Sequence, residues 1–127
     1  MPTTHEQITD VVHACFKSYV DKDRPAIEAL ISEDFHFTSP LDNRINRQTY
    51  FERCWPNSAN MAAVDFKHIA VKDEKAFVSY ECHLNDGKRF RNTELFTVIE
   101  GKVVDVEVYF GWSLPHEAAD GKFLAAK

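Results

Sequence analysis

The feature that most limits what this chain can become is a change of hydrophobic period near residue 62. Before it, Ile8, Val11, Val12, Cys15, Phe16, Tyr19 and Val20 recur at helical spacing. After it, apolar and polar residues alternate. The turn sequences KDEK (72–75), NDGK (85–88) and IEGK (99–102) separate four runs rich in Val, Phe, Ile and Tyr. Helices followed by an antiparallel meander make an α+β domain, with the helices packed on one face of the sheet.

Punctuation in the first half supports the same division. Thr4-x-x-Gln7 is a capping box for the first helix. Asp23 caps a second, with Pro25 in its first turn and Ile27, Leu30 and Ile31 on one face. DFHFTS (34–39) reads as a short strand that Pro40 ends, holding Ser39 extended. A third helix runs from about Arg47 to Trp55, capped by Asn46 and closed by Pro56.

The 127 residues suit one domain, spanning 1–127, with its core at about 6–112 and a tail at 113–127. A net charge of −5 with no block of Lys and Arg argues against a nucleic-acid or anionic-membrane partner. The start, MPTTHEQITD, lacks a basic region followed by an apolar run, and no apolar segment is long enough to span a bilayer. Cys15, Cys54 and Cys82 are far apart and show no CxxC spacing, so they read as reduced thiols of a cytoplasmic protein.

Turn lengths fix strand register, and register decides which side chains share a face. A two-residue turn at Asp73-Glu74 sets Val71 near Ala76, His68 opposite Ser79 and Phe66 opposite Glu81. A two-residue turn at Asp86-Gly87, a strong hairpin signal, sets His83 opposite Phe90, Glu81 opposite Asn92, Ser79 opposite Glu94 and Phe77 opposite Phe96. One face then collects Phe66, His68, Phe77, Ser79, Glu81, His83, Phe90, Asn92, Glu94 and Phe96. For the last hairpin, a two-residue Glu100-Gly101 turn would oppose Glu94 with Glu107, which costs stability. A three-residue Ile99-Glu100-Gly101 loop opposes Glu94 with Val106 instead. It is preferred, and it adds Val104, Val106, Val108 and Phe110 to the pocket face. The other face carries Val78, Tyr80, Cys82, Leu84 and Leu95, an apolar stripe that a homodimer would cover.

Glu94 is the most informative residue on the polar face, because an ionised carboxylate is costly to bury. It is either an acid/base group of raised pKa or a side chain satisfied by Ser79, Asn92 or a helix terminus. Glu81 carries the same two readings nearer the rim. His68 and His83 are candidate proton carriers, and no HxH or HxxxH spacing points to a metal. Trp55 and Trp112 either line the pocket or fill core. Cys15 belongs to the apolar helix stripe, without a neighbouring base to activate it.

The helices, the strand in SEDFHFTSP (32–40) and the hairpin ending EGKVVDVEVYFGW (100–112) resemble the nuclear-transport-factor-2-like superfamily. Its SnoaL-like and ketosteroid-isomerase-like branches are the nearest. The resemblance covers about residues 6–112. It implies a cone-shaped roll, a curved antiparallel sheet wrapped around the first helix, with a pocket for a small, partly apolar molecule and dimers through the outer face. Ketosteroid isomerases use an Asp base, a Tyr donor and a protonated Asp donor. The base position, just before the Pro, is Ser39 here. The Tyr position is Cys15, and the second donor falls on or near Glu94. The resemblance thus implies either a cofactor-independent isomerase, lyase or hydrolase without the usual Asp base, or a non-catalytic binding domain. Its pocket would draw on Glu94, His68 and His83 for chemistry. Cys15, Tyr19, Ser39, Trp55, Phe66, Ser79, Glu81, Asn92, Phe96, Val106, Val108 and Phe110 would contact the ligand.

Overall fold

A computed structural model describes residues 3–117. Helix α1 (His5–Asp21) opens on the expected capping box, with Gln7 N–H 3.1 Å from Thr4 Oγ1 and Thr4 N–H 2.8 Å from Gln7 Oε1. Asp23 caps α2 (Arg24–Leu30) through the Ala26 N–H. Strands β1 (Ile31–Ser39) and β2 (Asp42–Asn46) form a hairpin around Pro40, and the sequence reading had not expected β2. Asn46 then caps α3 (Arg47–Arg53). This helix stops short of Trp55, because Trp55–Asn60 winds as a separate 3-10 turn with Pro56 inside it. Four strands follow: β3 (Met61–Lys72), β4 (Lys75–Leu84), β5 (Arg89–Ile99) and β6 (Lys102–Leu114).

The six strands form one curved, unclosed sheet in the order β2-β1-β6-β5-β4-β3. It is mixed rather than purely antiparallel. β1 leaves α2 and lies parallel to β6, while every other pairing is antiparallel. Among the described residues, no helix is long and apolar enough to cross a membrane.

Three local features move the expected registers. The Asp73-Glu74 turn pairs Val71 with Ala76 and His68 with Ser79 as expected, but a bulge at Lys67 then brings Phe66 opposite Tyr80 instead of Glu81. The second hairpin has a three-residue loop, Asn85–Gly87, with Gly87 at φ +90°. That one extra residue pairs His83 with Arg89, Glu81 with Arg91, Val78 with Glu94 and Phe77 with Leu95. β4 is therefore turned over relative to expectation. The last hairpin is the two-residue Glu100-Gly101 turn, both residues at positive φ. A bulge at Val104 removes the like-charge clash that had argued against it. Glu94 faces Val108, and Glu107 faces Leu95 on the opposite side. Val106, Val108 and Phe110 keep the Glu94 face, while Val104 falls in the bulge.

The overturned strand changes the interior. Val78, Tyr80 and Cys82 are buried, and Leu84 also faces inward, so they supply no outer stripe for a partner. Of that set only Leu95 lies on the outer face, beside Phe77, Ser79, Glu81 and His83. The core forms where α1 enters the concave side of the sheet. The Phe16 ring lies 4.7 Å from Tyr80, 5.2 Å from Phe66 and 5.9 Å from Phe96. Phe35, on β1, is 1% exposed, whereas Phe77 is 48% exposed. Phe35→Ala should cost about 3–5 kcal/mol in urea unfolding, and Phe77→Ala no more than about 1 kcal/mol. A larger loss at Phe77 would contradict the observed facing of β4.

Candidate functional site

A cavity of about 680 Å³ lies between α1, β1, α3 and the concave side of β4, β5 and β6. The size suits a small organic ligand. Phe16, Ile31, Phe37, Phe90, Phe96 and Val106 give it a mainly apolar wall. Asn57, Asn60, Arg91 and Ser113 add polar side chains to it, and two polar clusters break the wall. One comprises Tyr19, Tyr50, Tyr80, Asn92 and Glu94, and the other Ser39, Asp42 and Arg53.

Of the residues expected at the site, Glu94, Cys15, Tyr19, Ser39, Asn92, Phe96, Val106, Val108 and Phe110 all line this cavity. Others do not. His68, Ser79, Glu81 and His83 sit on the outer face, because the Asn85–Gly87 loop turns β4 over and β3 keeps His68 paired with Ser79. Phe66 points inward but packs on His13 and Phe16. Trp55 packs edge-on against Tyr19 at 4.9 Å, and Trp112 lines the cavity while half exposed. The outer-face Glu81 is nonetheless buried, held by His83 Nε2 at 3.1 Å, Arg89 Nη1 at 3.2 Å and Arg91 Nε at 3.3 Å. Burial raises its pKa, but the Arg91 hydrogen bond and the Arg89 charge outweigh that and hold the carboxyl below its usual range. It is a paired structural anion rather than a pocket acid.

Sequence reasoning missed Tyr80, Tyr50, Asp42 and Arg53. The signal for Tyr80 was present in β4 itself. Ala76, Val78, Tyr80, Cys82 and Leu84 alternate against Phe77, Ser79, Glu81 and His83, and the first set is plainly the more apolar. Binary pattern should have outranked an assumed turn length.

Glu94 sits on β5 with Val78 on one side and Val108 on the other, so no countercharge lies beside it in the sheet. Burial pushes its pKa from 4.5 up to about 7, and the Tyr80 hydroxyl, donating to Oε2 at 2.5 Å, pulls the other way. Asn92 Nδ2 lies 3.4 Å from the Tyr80 oxygen. Tyr19 and Tyr50 hydrogen-bond to each other through their hydroxyls, and burial raises the pKa of both. Burial likewise pushes the Cys15 thiol to about 12 and those of Cys54 and Cys82 to about 11, so all three stay protonated at neutral pH. Among the described residues, no group of three or more His, Cys, Asp or Glu side chains is arranged to hold a metal ion.

The Ser39 hydroxyl is engaged by its own turn. It donates to Asp42 Oδ2 at 3.2 Å and accepts from the Leu41 N–H at 3.0 Å. Arg53 Nε binds the other Asp42 oxygen at 2.7 Å. Among the described residues, the cavity thus holds the Asp42–Arg53 pair, an arginine (Arg91) bound to Glu81, and one carboxyl, Glu94, without a cationic partner.

No protein-family model matches the sequence, and no curated protein matches it. Solved structures do match in shape. A provisionally named ketosteroid isomerase of Kribbella flavida superposes with a TM-score of 0.74 at 19% identity, covering 91% of this chain and 84% of that one. An LEH-like epoxide hydrolase of Mycobacterium tuberculosis gives 0.71 at 17% identity, covering 84% of each. The chain has the nuclear-transport-factor-2-like fold. A de novo designed protein with a curved β-sheet shares this architecture, with a TM-score of 0.74 at 16% identity over 85% of this chain and 88% of that one. A shared fold does not fix an activity, so function has to be argued from the cavity.

The environment of Glu94 makes a stability prediction. Between pH 4.5 and about 7 the folded state holds a proton that the unfolded chain releases, so stability falls as pH rises through that window. Glu94→Gln, which cannot ionise, should be more stable than the native chain at pH 8 by roughly 3 kcal/mol. The gain should vanish near pH 4. Urea unfolding at the two pH values measures it, and equal stabilities at pH 8 would mean the carboxyl is not desolvated.

Proposed function

We propose that this protein is a cofactor-independent acid/base enzyme for a small, partly apolar, uncharged molecule, and that Glu94 moves the proton. The observation that carries this reading is one hydrogen-bonded carboxyl, lifted to about 7, in the wall of an apolar cavity. A group with that pKa is half protonated at neutral pH, where general acid/base transfer is most effective. The Tyr19–Tyr50 hydroxyl pair adds neutral donors to the same cavity for oxygen on the ligand. Among the described residues Glu94 has no cationic partner, Arg53 is committed to Asp42 and Arg91 to Glu81, which disfavours an anionic ligand. Reactions open to such a site are proton abstraction beside a carbonyl, dehydration and epoxide opening. The structural neighbours named as an isomerase and an epoxide hydrolase are consistent with this range. Three protonated thiols fit a reducing compartment, hence a cytoplasmic setting.

A second reading, a non-catalytic ligand-binding domain, is supported by Ser39. Its hydroxyl is taken up by the turn, so the position where the resemblance implies a base has none to offer. Screening enolisable ketones and epoxides separates the two readings. For the enzyme, Glu94→Gln should lower kcat at least about 100-fold while ligand affinity changes little. Ligands that bind the native chain without turnover, and whose affinity shifts in Glu94→Gln, would establish the binding domain instead.

A further inference from the structure

The hydrogen bonds around Glu94 run in one direction. Where β5 and β6 slip register between Phe90 and Asn92, the ladder skips Gly111. Its N–H turns instead to Asn92 Oδ1, 3.2 Å away. A backbone N–H can only donate, so this contact fixes the Asn92 amide with its oxygen toward Gly111 and its NH₂ toward Tyr80. That NH₂ takes a lone pair of the Tyr80 oxygen, and the hydroxyl proton is left for Glu94 Oε2. Gly111 also has a steric reason to be glycine. A Cβ there would stand 2.2 Å from the Arg91 carbonyl oxygen, so a larger residue would push β6 away and withdraw the N–H.

We propose that Gly111, Asn92 and Tyr80 form a one-way donor relay that keeps Glu94 Oε2 occupied as an acceptor and leaves Oε1 as the oxygen that exchanges a proton with the bound molecule. The proposal rests on the acid/base reading of Glu94 above. Asn92 and Gly111 are then positioning residues that act through Tyr80. A proton leaving the ligand's C–H or O–H lands on Oε1 and returns from it, and Tyr80 keeps its own proton throughout. The titratable groups facing Glu94 are Cys15 and Tyr19 from α1, Tyr50 from α3, Cys54 just after it, and Tyr80 and Cys82 from β4. All have raised pKa values and stay neutral at pH 7, β6 sets Val108 opposite Glu94, and the charged side chains lining the same cavity are ion-paired, Arg53 with Asp42 and Arg91 with Glu81. A change in Glu94 titration therefore reports the relay rather than a neighbouring charge.

A double-mutant cycle tests the proposal without any substrate. The Glu94 carboxyl is titrated by NMR in the native chain, Asn92→Leu, Tyr80→Phe and the double variant. Asn92→Leu should raise the Glu94 pKa by roughly half a unit, because the Tyr80 hydroxyl is no longer held toward it. In the Tyr80→Phe background the same change should do nothing. Equal shifts in both backgrounds, or no shift in either, would overturn the relay. Asn92→Ser, whose hydroxyl is too short to bridge Gly111 and Tyr80, replaces the Leu variant if that one does not fold. Turnover lost in Glu94→Gln alongside an additive cycle would sink the relay and leave the acid/base reading standing. A non-additive cycle in a chain with no turnover would do the reverse.

Discussion

The Phe16 ring, seated against Phe66, Tyr80 and Phe96, holds α1 in the hollow of the sheet, and the cavity is the space this contact leaves open. Three strands and one helix meet at that ring. Tyr80 belongs to both structures, since its ring packs on Phe16 while its hydroxyl reaches Glu94. Core packing therefore sets the position of the hydroxyl that tunes the carboxyl. This is how an aromatic residue with a polar tip can tie a site to a fold.

The concave face is unusual in placing an acid among aliphatic neighbours. Glu94 faces Val78 and Val108, where a Thr or a cation would ease its ionisation. Glu81 makes the contrast within the same sheet. Its side chain is the less accessible of the two, yet two arginines and a histidine surround it, and its carboxyl stays ionised. The two glutamates differ in what lies beside them across the strands. A sheet that spends stability on one uncompensated acid, while compensating another fully, treats the first as something other than a structural ion.

Much of this was legible in the sequence. The capping box at Thr4–Gln7, the Asp23 and Asn46 caps and the change of period gave the helices and strands, and their order gave the fold. The inward face of β5 followed from its own alternation. The outward turn of β4 was missed because NDGK reads as a two-residue turn, whereas Gly87 at φ +90° closes a three-residue loop. One residue of loop moved Ser79, Glu81 and His83 off the expected face, and His68 with them through its pairing with Ser79, while the Lys67 bulge kept Phe66 inward. The bulges at Lys67 and Val104 leave no composition signature, whereas Gly111, a glycine inside a strand pattern, marks its own irregularity. β2, only five residues with Arg44 at positive φ, carries too little pattern to be seen before its partner is known.

The most direct test of this account is a carboxyl-resolved NMR titration of Glu94 in the native protein. A midpoint near 7 is the predicted result, and it would establish a desolvated acid able to take and return a proton at neutral pH. A midpoint at or below the ordinary value of 4.5 would mean a solvated or paired carboxylate. It would remove the reason for assigning chemistry to this cavity.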